Sequence, residues 1–177
     1  MKTAFIGHRQ LFSPDIEERL LSAVETEIKN GCKEFTVGTH GEFDSLALYI
    51  CRKLRHTYTD IKIEVVLTSL NEIKKDSEFD APPYADVQTI MYDIEDVHFK
   101  QKIIISNRRM LDSCDTLICY VDTSVYKSGA KMALRYAEKR GLKIMNLFRK
   151  EDNLFFGMTK EETDTYMKDV FEKLNKK

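Results

Sequence analysis

The chain has 177 residues, 42% of them apolar and 32% charged, with 28 Lys and Arg balancing 29 Asp and Glu for a formal charge of -1. This length suits one domain with its own core, and the apolar share excludes a disordered chain. The near-neutral balance removes the bulk attraction on which a general nucleic-acid or anionic-membrane binder relies.

Four cysteines, Cys32, Cys51, Cys114 and Cys119, form no pattern with zinc-ligand spacing. The expectation is a reduced, cytoplasmic protein with neither metal nor cofactor. The opening run Thr3–Ile6 meets Gly7 at once, too soon for a signal peptide, and no apolar stretch approaches the length of a membrane span.

In chain order, Thr3–Ile6 reads as a strand closed by Gly7, and Ser13-Pro14-Asp15 as a helix start with a capping serine and proline at the first helical position. Ile16, Leu20, Val24 and Ile28 then fall on one helical stripe, with Gly31 as the stop. Glu34–Val37 is the second strand, Phe43–His56 a helix with Leu46, Ile50 and Leu54 on one face, and Ile61–Leu67 the third strand. Residues 68–98, acidic and holding Pro82-Pro83, form an irregular excursion with one short strand from Val87 to Met91.

A helix over Phe99–Cys114, a strand over Thr116–Val121, a helix over Ser128–Arg140 and a strand over Leu142–Phe148 follow. Thr159-Lys160-Glu161-Glu162 has capping-box spacing and opens a final helix within 159–175, with Tyr166, Val170 and Leu174 as its buried stripe. Strands alternating with helices predict βαβ units, hence a single Rossmann-like α/β domain with an open, mostly parallel sheet and helices on both faces.

Three glycine turns each follow a strand and precede a helix: Gly7-His8-Arg9, Gly38 through Asp44, and Lys127 through Lys131. Ligands of open α/β sheets bind outside the carboxyl ends of the strands, where such turns gather. Glycine permits positive φ and close backbone approach, and helix N-terminal amides favour anions. The expected ligand is therefore phosphate-bearing and held by Gly7, His8, Arg9, Gly38, Thr39, Gly41, Phe43, Asp44, Asn107, Arg108, Ser128, Gly129, Ala130 and Lys131.

Arg9, Arg108, Arg109 and Lys131 are the phosphate candidates. Arg108 and Arg109 stand about 100° apart on one helix, so only one of them, Arg108 by preference, is expected at the ligand. His8 and His40 are candidate donors or bases, because imidazole titrates near neutrality. Glu42 and Asp44 are the candidate carboxylates, Asp44 as helix N-cap or acceptor of a ribose hydroxyl.

Three segments carry a family resemblance: "IGHR" at Ile6 to Arg9, "GTHGEFDSLAL" at Gly38 to Leu48, and "SNRRMLDSCDTLICY" leading to "SGAKMALRYAEKRG". In this order, over Met1 to about Phe148, they resemble the SLOG superfamily, the Rossmann-like group that includes the cytokinin-activating LOG enzymes, DprA and the YpsA-like proteins. The Asn-Arg-x-Met-x-Asp run and the Ser-Gly-x loop are similar to the YpsA-like subgroup. The resemblance implies a nucleotide-type ligand and self-association as a homodimer or larger homo-oligomer.

LOG enzymes place a glutamate one helical turn after their glycine-threonine turn; here the turn is Gly129-Ala130 and the position holds Ala133. Cleaving an N-glycosidic bond calls for such a carboxylate. Three functions follow in order: a sensor or sequestering module for a nucleoside phosphate or ADP-ribose-like ligand, a nucleotide-processing enzyme of phosphoribohydrolase or N-glycosidase type, and DprA-like nucleic-acid binding.

Overall fold

The structure, a computed structural model, describes residues 1–69, 72, 83–92, 98–125, 128–155, 161–162, 164–166 and 168. Six strands, β1 (Lys2–Gly7), β2 (Glu34–Val37), β3 (Lys62–Leu67), β4 (Gln88–Met91), β5 (Thr116–Tyr120) and β6 (Lys143–Asn146), form one sheet. Its order is β4-β3-β2-β1-β5-β6 with every pair parallel. The chain builds outward from β1 to β4, then returns to the other side of β1. That reversal, between β1 and β5, is the topological switch point at which open α/β sheets bind ligands.

Because successive strand residues face opposite ways, a sheet covered on both sides needs apolar residues in runs. Phe5, Phe35, Val65, Ile118 and Tyr120 face one cluster, which also takes Ile16, Leu20 and Val24 of α1 (Ile16–Lys29) and Phe43, Ala47 and Ile50 of α2 (Glu42–Arg55). Ala4, Ile6, Leu117, Cys119 and Val121 face the other, built with Met110 and Leu111 of α3 (Phe99–Asp112) and Ala133, Leu134 and Ala137 of α4 (Gly129–Arg140). The Rossmann-like α/β architecture expected from the sequence is thus observed. All four cysteines are buried as free thiols. Among the described residues no helix is long and apolar enough to cross a membrane.

The expected elements are present with boundaries shifted by a residue or two, and the excursion's short strand is β4, an edge strand beside β3. Three local readings are corrected. α1 begins at Ile16 with Asp15 as its cap residue, not at Pro14 under Ser13, because the Ser13 hydroxyl donates to the Asp15 carboxylate instead of capping an amide. The buried stripe of α1 runs through Glu27, fully enclosed, with Ile28 only partly buried. Glu27 accepts hydrogen bonds from Thr116 at 2.9 Å and from the Lys143 ammonium at 2.6 Å, which offsets the cost of enclosing a carboxylate.

The third correction concerns the last helix. Residues 161–162, 164–166 and 168 are helical, but Tyr166 is 41% exposed and so does not belong to a buried stripe. Thr159, Lys160, Val170 and Leu174 lie outside the described residues.

Candidate ligand-binding site

At the carboxyl ends of the strands lies a cavity of about 940 Å³, roofed by the loops after β1, β2, β3 and β5 and walled by α3. Gly7, His8, Arg9, Gly38, Asp44, Asn107, Ser128, Gly129 and Ala130 line it, so nine of the residues singled out from the sequence are brought together here. Most of the remaining lining is apolar, with Ile6, Val66, Ile103 and Ile104 along the sheet end and α3.

Five expected residues lie elsewhere, each for a visible reason. Lys131 turns its ammonium onto the Thr123 and Val125 carbonyls at 2.5 and 2.8 Å, tying down the loop after β5. Arg108 lies outside the cavity with its guanidinium 5.5 Å from the Tyr136 ring centre, and its neighbour Arg109 sits over Tyr92 at 5.6 Å. Neither of the pair lines the cavity, and each guanidinium lies over an aromatic ring instead. Thr39 donates to the Glu72 carboxylate, Gly41 lines a shallow groove next door, and Phe43 is enclosed in the core.

The role of the glycines also differs from the expectation. Among the described residues only Gly31 and Gly141 have positive φ, and neither is in these turns. A β-carbon on Gly7 would lie 2.4 Å from Phe43 atoms, and one on Gly41 would lie 2.9 Å from the Arg9 α-carbon. These two positions therefore bring the first two loops together, while Gly129 faces open space with nothing within 4 Å of its missing β-carbon.

The α4 N-terminus opens onto the cavity. The Ser128 hydroxyl accepts from the Lys131 amide at 3.0 Å, capping the helix at its third residue. The Gly129 and Ala130 amides at its first two residues carry the positive end of the helix dipole, and both residues line the cavity. Arg9, exposed at the rim, adds the guanidinium charge.

His8 contributes as a donor. The Asp122 peptide N–H donates to its Nε2 at 2.8 Å, so the ring proton sits on Nδ1. Burial lowers its pKa, outweighing the pull of the Asp122 carboxylate, and the ring is neutral at pH 7. That bond occupies the Nε2 lone pair, which removes the general-base role considered for His8 and leaves Nδ1–H to donate.

Asp122 was not legible as a site residue, though it stands two residues beyond the end of β5, where ligand residues of open sheets gather. Burial raises its pKa, but the Ser124 hydroxyl and amide and the Asn153 amide more than reverse this and hold the carboxyl below the usual range. Phe148 and Asn153 reach the cavity because Arg19 of α1 binds the Leu147 carbonyl and the Asp152 carboxylate, clamping this segment against the sheet end.

The two candidate carboxylates separate. Glu42 accepts from the Leu11 amide at 2.8 Å and does not line the cavity, so it braces the loop after β1. Asp44 lines the cavity, half-buried, and accepts from the His40 amide at 2.8 Å; it stands at the third residue of α2, whose cap position is Gly41 and not Asp44. Burial pushes its carboxyl up to about 6. Beside it His40 bonds the Thr68 hydroxyl at 2.8 Å, which donates to Glu72 at 2.7 Å, and burial lowers the His40 pKa.

The raised pKa of Asp44 has a direct consequence. The carboxyl binds its proton more tightly folded than unfolded, so protonation stabilises the fold. That contribution is complete below the ordinary value of 3.8 and is lost as pH rises through about 6. Asp44→Asn, which keeps an acceptor for His40 without a charge, should melt with the parent near pH 4 and above it near pH 8. Equal melting temperatures at both pH values would contradict the burial of this carboxylate.

Among the described residues no group of three or more His, Cys, Asp or Glu is placed to hold a metal ion. Ala133, where the LOG pattern has its glutamate, is packed into the second core cluster and does not line the cavity. The class defined by fold and site is a parallel Rossmann-like α/β domain with a cavity at its switch point. No protein-family model and no curated protein matches the sequence.

Proposed function

We propose that the protein binds a nucleotide or nucleotide-derived ligand in this cavity as a sensor or sequestering module. The observation that carries the reading is the convergence at the switch point of the Gly129 and Ala130 amides, the Arg9 guanidinium and the His8 ring with an apolar wall wide enough for a base. The sequence resemblance to the SLOG superfamily points to the same ligand class and implies a homo-oligomer; the free cysteines fit a cytoplasmic setting.

A second reading, turnover of that ligand, is favoured by Asp44. A carboxyl titrating near 6 at the cavity wall can hold or release a proton close to neutral pH. Nucleic-acid binding has no comparable observation behind it.

A thermal-shift panel of nucleoside mono-, di- and triphosphates and ADP-ribose tests the reading, each ligand being recovered and analysed afterwards. Ligand at 100 times its dissociation constant adds about 2.7 kcal/mol, a shift of roughly 5 to 10 °C at this chain length. A shift with intact ligand supports binding alone. Release of free base moves the conclusion to the enzyme, and indifference to the whole panel refutes both.

A further inference from the structure

Ser106 of α3 lines the cavity and is 2% exposed, yet its hydroxyl has no hydrogen-bond partner among the described residues. Helical serine and threonine ordinarily return such a hydroxyl to the carbonyl four residues back, as Thr26 does to Ser22 at 2.7 Å and Ser45 to Gly41 at 3.2 Å. Ser106 does not. Ile103, Ile104, Asn107 and Val66 line the cavity with it, and none of them bonds the Ser106 hydroxyl. A buried hydroxyl without a partner lowers stability, and alanine would fill the same space without that cost.

Resting on the ligand reading above, we infer that Ser106 is the specificity-determining residue of the cavity, hydrogen-bonding a polar edge atom of a planar heteroaromatic base packed against the α3 wall. An apolar wall accepts the faces of any base. One hydroxyl within it discriminates by the polar atoms at the base's edge, because a ligand without a matching atom leaves the hydroxyl unpaired. A turn about χ1 moves the hydroxyl from its packed position into the cavity, a rearrangement of one side chain that leaves the helix as it is. The anion seat at Gly129 and Ala130 holds the phosphate in either case, so affinity for the phosphate end and selection of the base are carried by different elements, α4 and α3.

The test compares ribose 5-phosphate with AMP, GMP, CMP and UMP by calorimetry, on the full chain and on Ser106→Ala. The wild type should prefer one monophosphate. In Ser106→Ala that preferred ligand should weaken about tenfold while ribose 5-phosphate stays within about twofold, and the ligand-free melting temperature should be unchanged or higher. Undiminished affinity for the preferred monophosphate would overturn the assignment. So would an equal loss for ribose 5-phosphate, which would make Ser106 a shaper of the whole cavity. If neither ribose 5-phosphate nor any monophosphate binds the wild type, the ligand reading itself fails and this assignment falls with it.

Discussion

Gly129→Asp should reduce binding of nucleoside monophosphates by about a hundredfold or more while leaving the fold as stable as before or slightly more so. Nothing lies within 4 Å of where the new β-carbon would stand, so the β-carbon itself meets no clash. A carboxylate in the first turn of a helix is stabilised by the dipole, typically by about 0.3 to 1 kcal/mol. The same carboxylate sits at the seat where the ligand's phosphate would meet the Gly129 and Ala130 amides, and repels it. Loss of binding with a lowered melting temperature would point to damage, and retained binding would place the phosphate elsewhere. Calorimetry alongside a thermal melt separates these outcomes.

Gly7→Val should destabilise the protein by about 3 kcal/mol, lowering its melting temperature by roughly 6 to 12 °C. A β-carbon at Gly7 would lie 2.4 Å from the Cβ and Cγ of Phe43, too close for any rotation of the ring to relieve. Phe43 has nowhere to retreat: it is fully enclosed and stacks on Tyr120 with ring centres 6.1 Å apart. Gly129→Ala, with open space around the added methyl, is the control and should melt close to the parent. A melting temperature for Gly7→Val within 1 °C of the parent, on the order of the shift expected of a neutral surface change, would contradict the packing of β1 against α2.

Much of the fold was legible because its central strands are largely buried on both faces and read as short apolar runs stopped by glycine or polar residues, as at Glu34–Val37 and Thr116–Val121. The three turns were legible as a group because the switch-point rule places them together whatever their individual sequences. What local reading missed depends on partners far along the chain. Glu27 is enclosed because Lys143, 116 residues later, arrives beside it. Gly7 and Gly41 need to be glycine because of Phe43 and Arg9, so their constraint is contact between loops and not positive φ.

The basic residues show the same limit from the other side. The sequence identifies Lys131 and Arg108 as near the right loops, but the direction of a long side chain is decided by what it meets, here two carbonyls and a tyrosine ring. Ser106 carried no sequence signal beyond its place just before Asn107, since an unpartnered hydroxyl is visible only once the neighbours are placed. Asp44 was singled out as a carboxylate, and its raised pKa follows from burial beneath the loop that Gly38 and His40 form over it.

Titration of ¹⁵N-labelled protein with an equimolar mixture of AMP, GMP, CMP and UMP, followed through the backbone amide resonances, tests the central claim most directly. The Gly129, Ala130 and Arg9 amides should shift most, with Ser106 among the affected residues of α3. Unmoved resonances at millimolar ligand would contradict the account, and so would shifts concentrated away from the cavity, for example where Arg52 and Arg55 hold Asp86 on the outer side of α2.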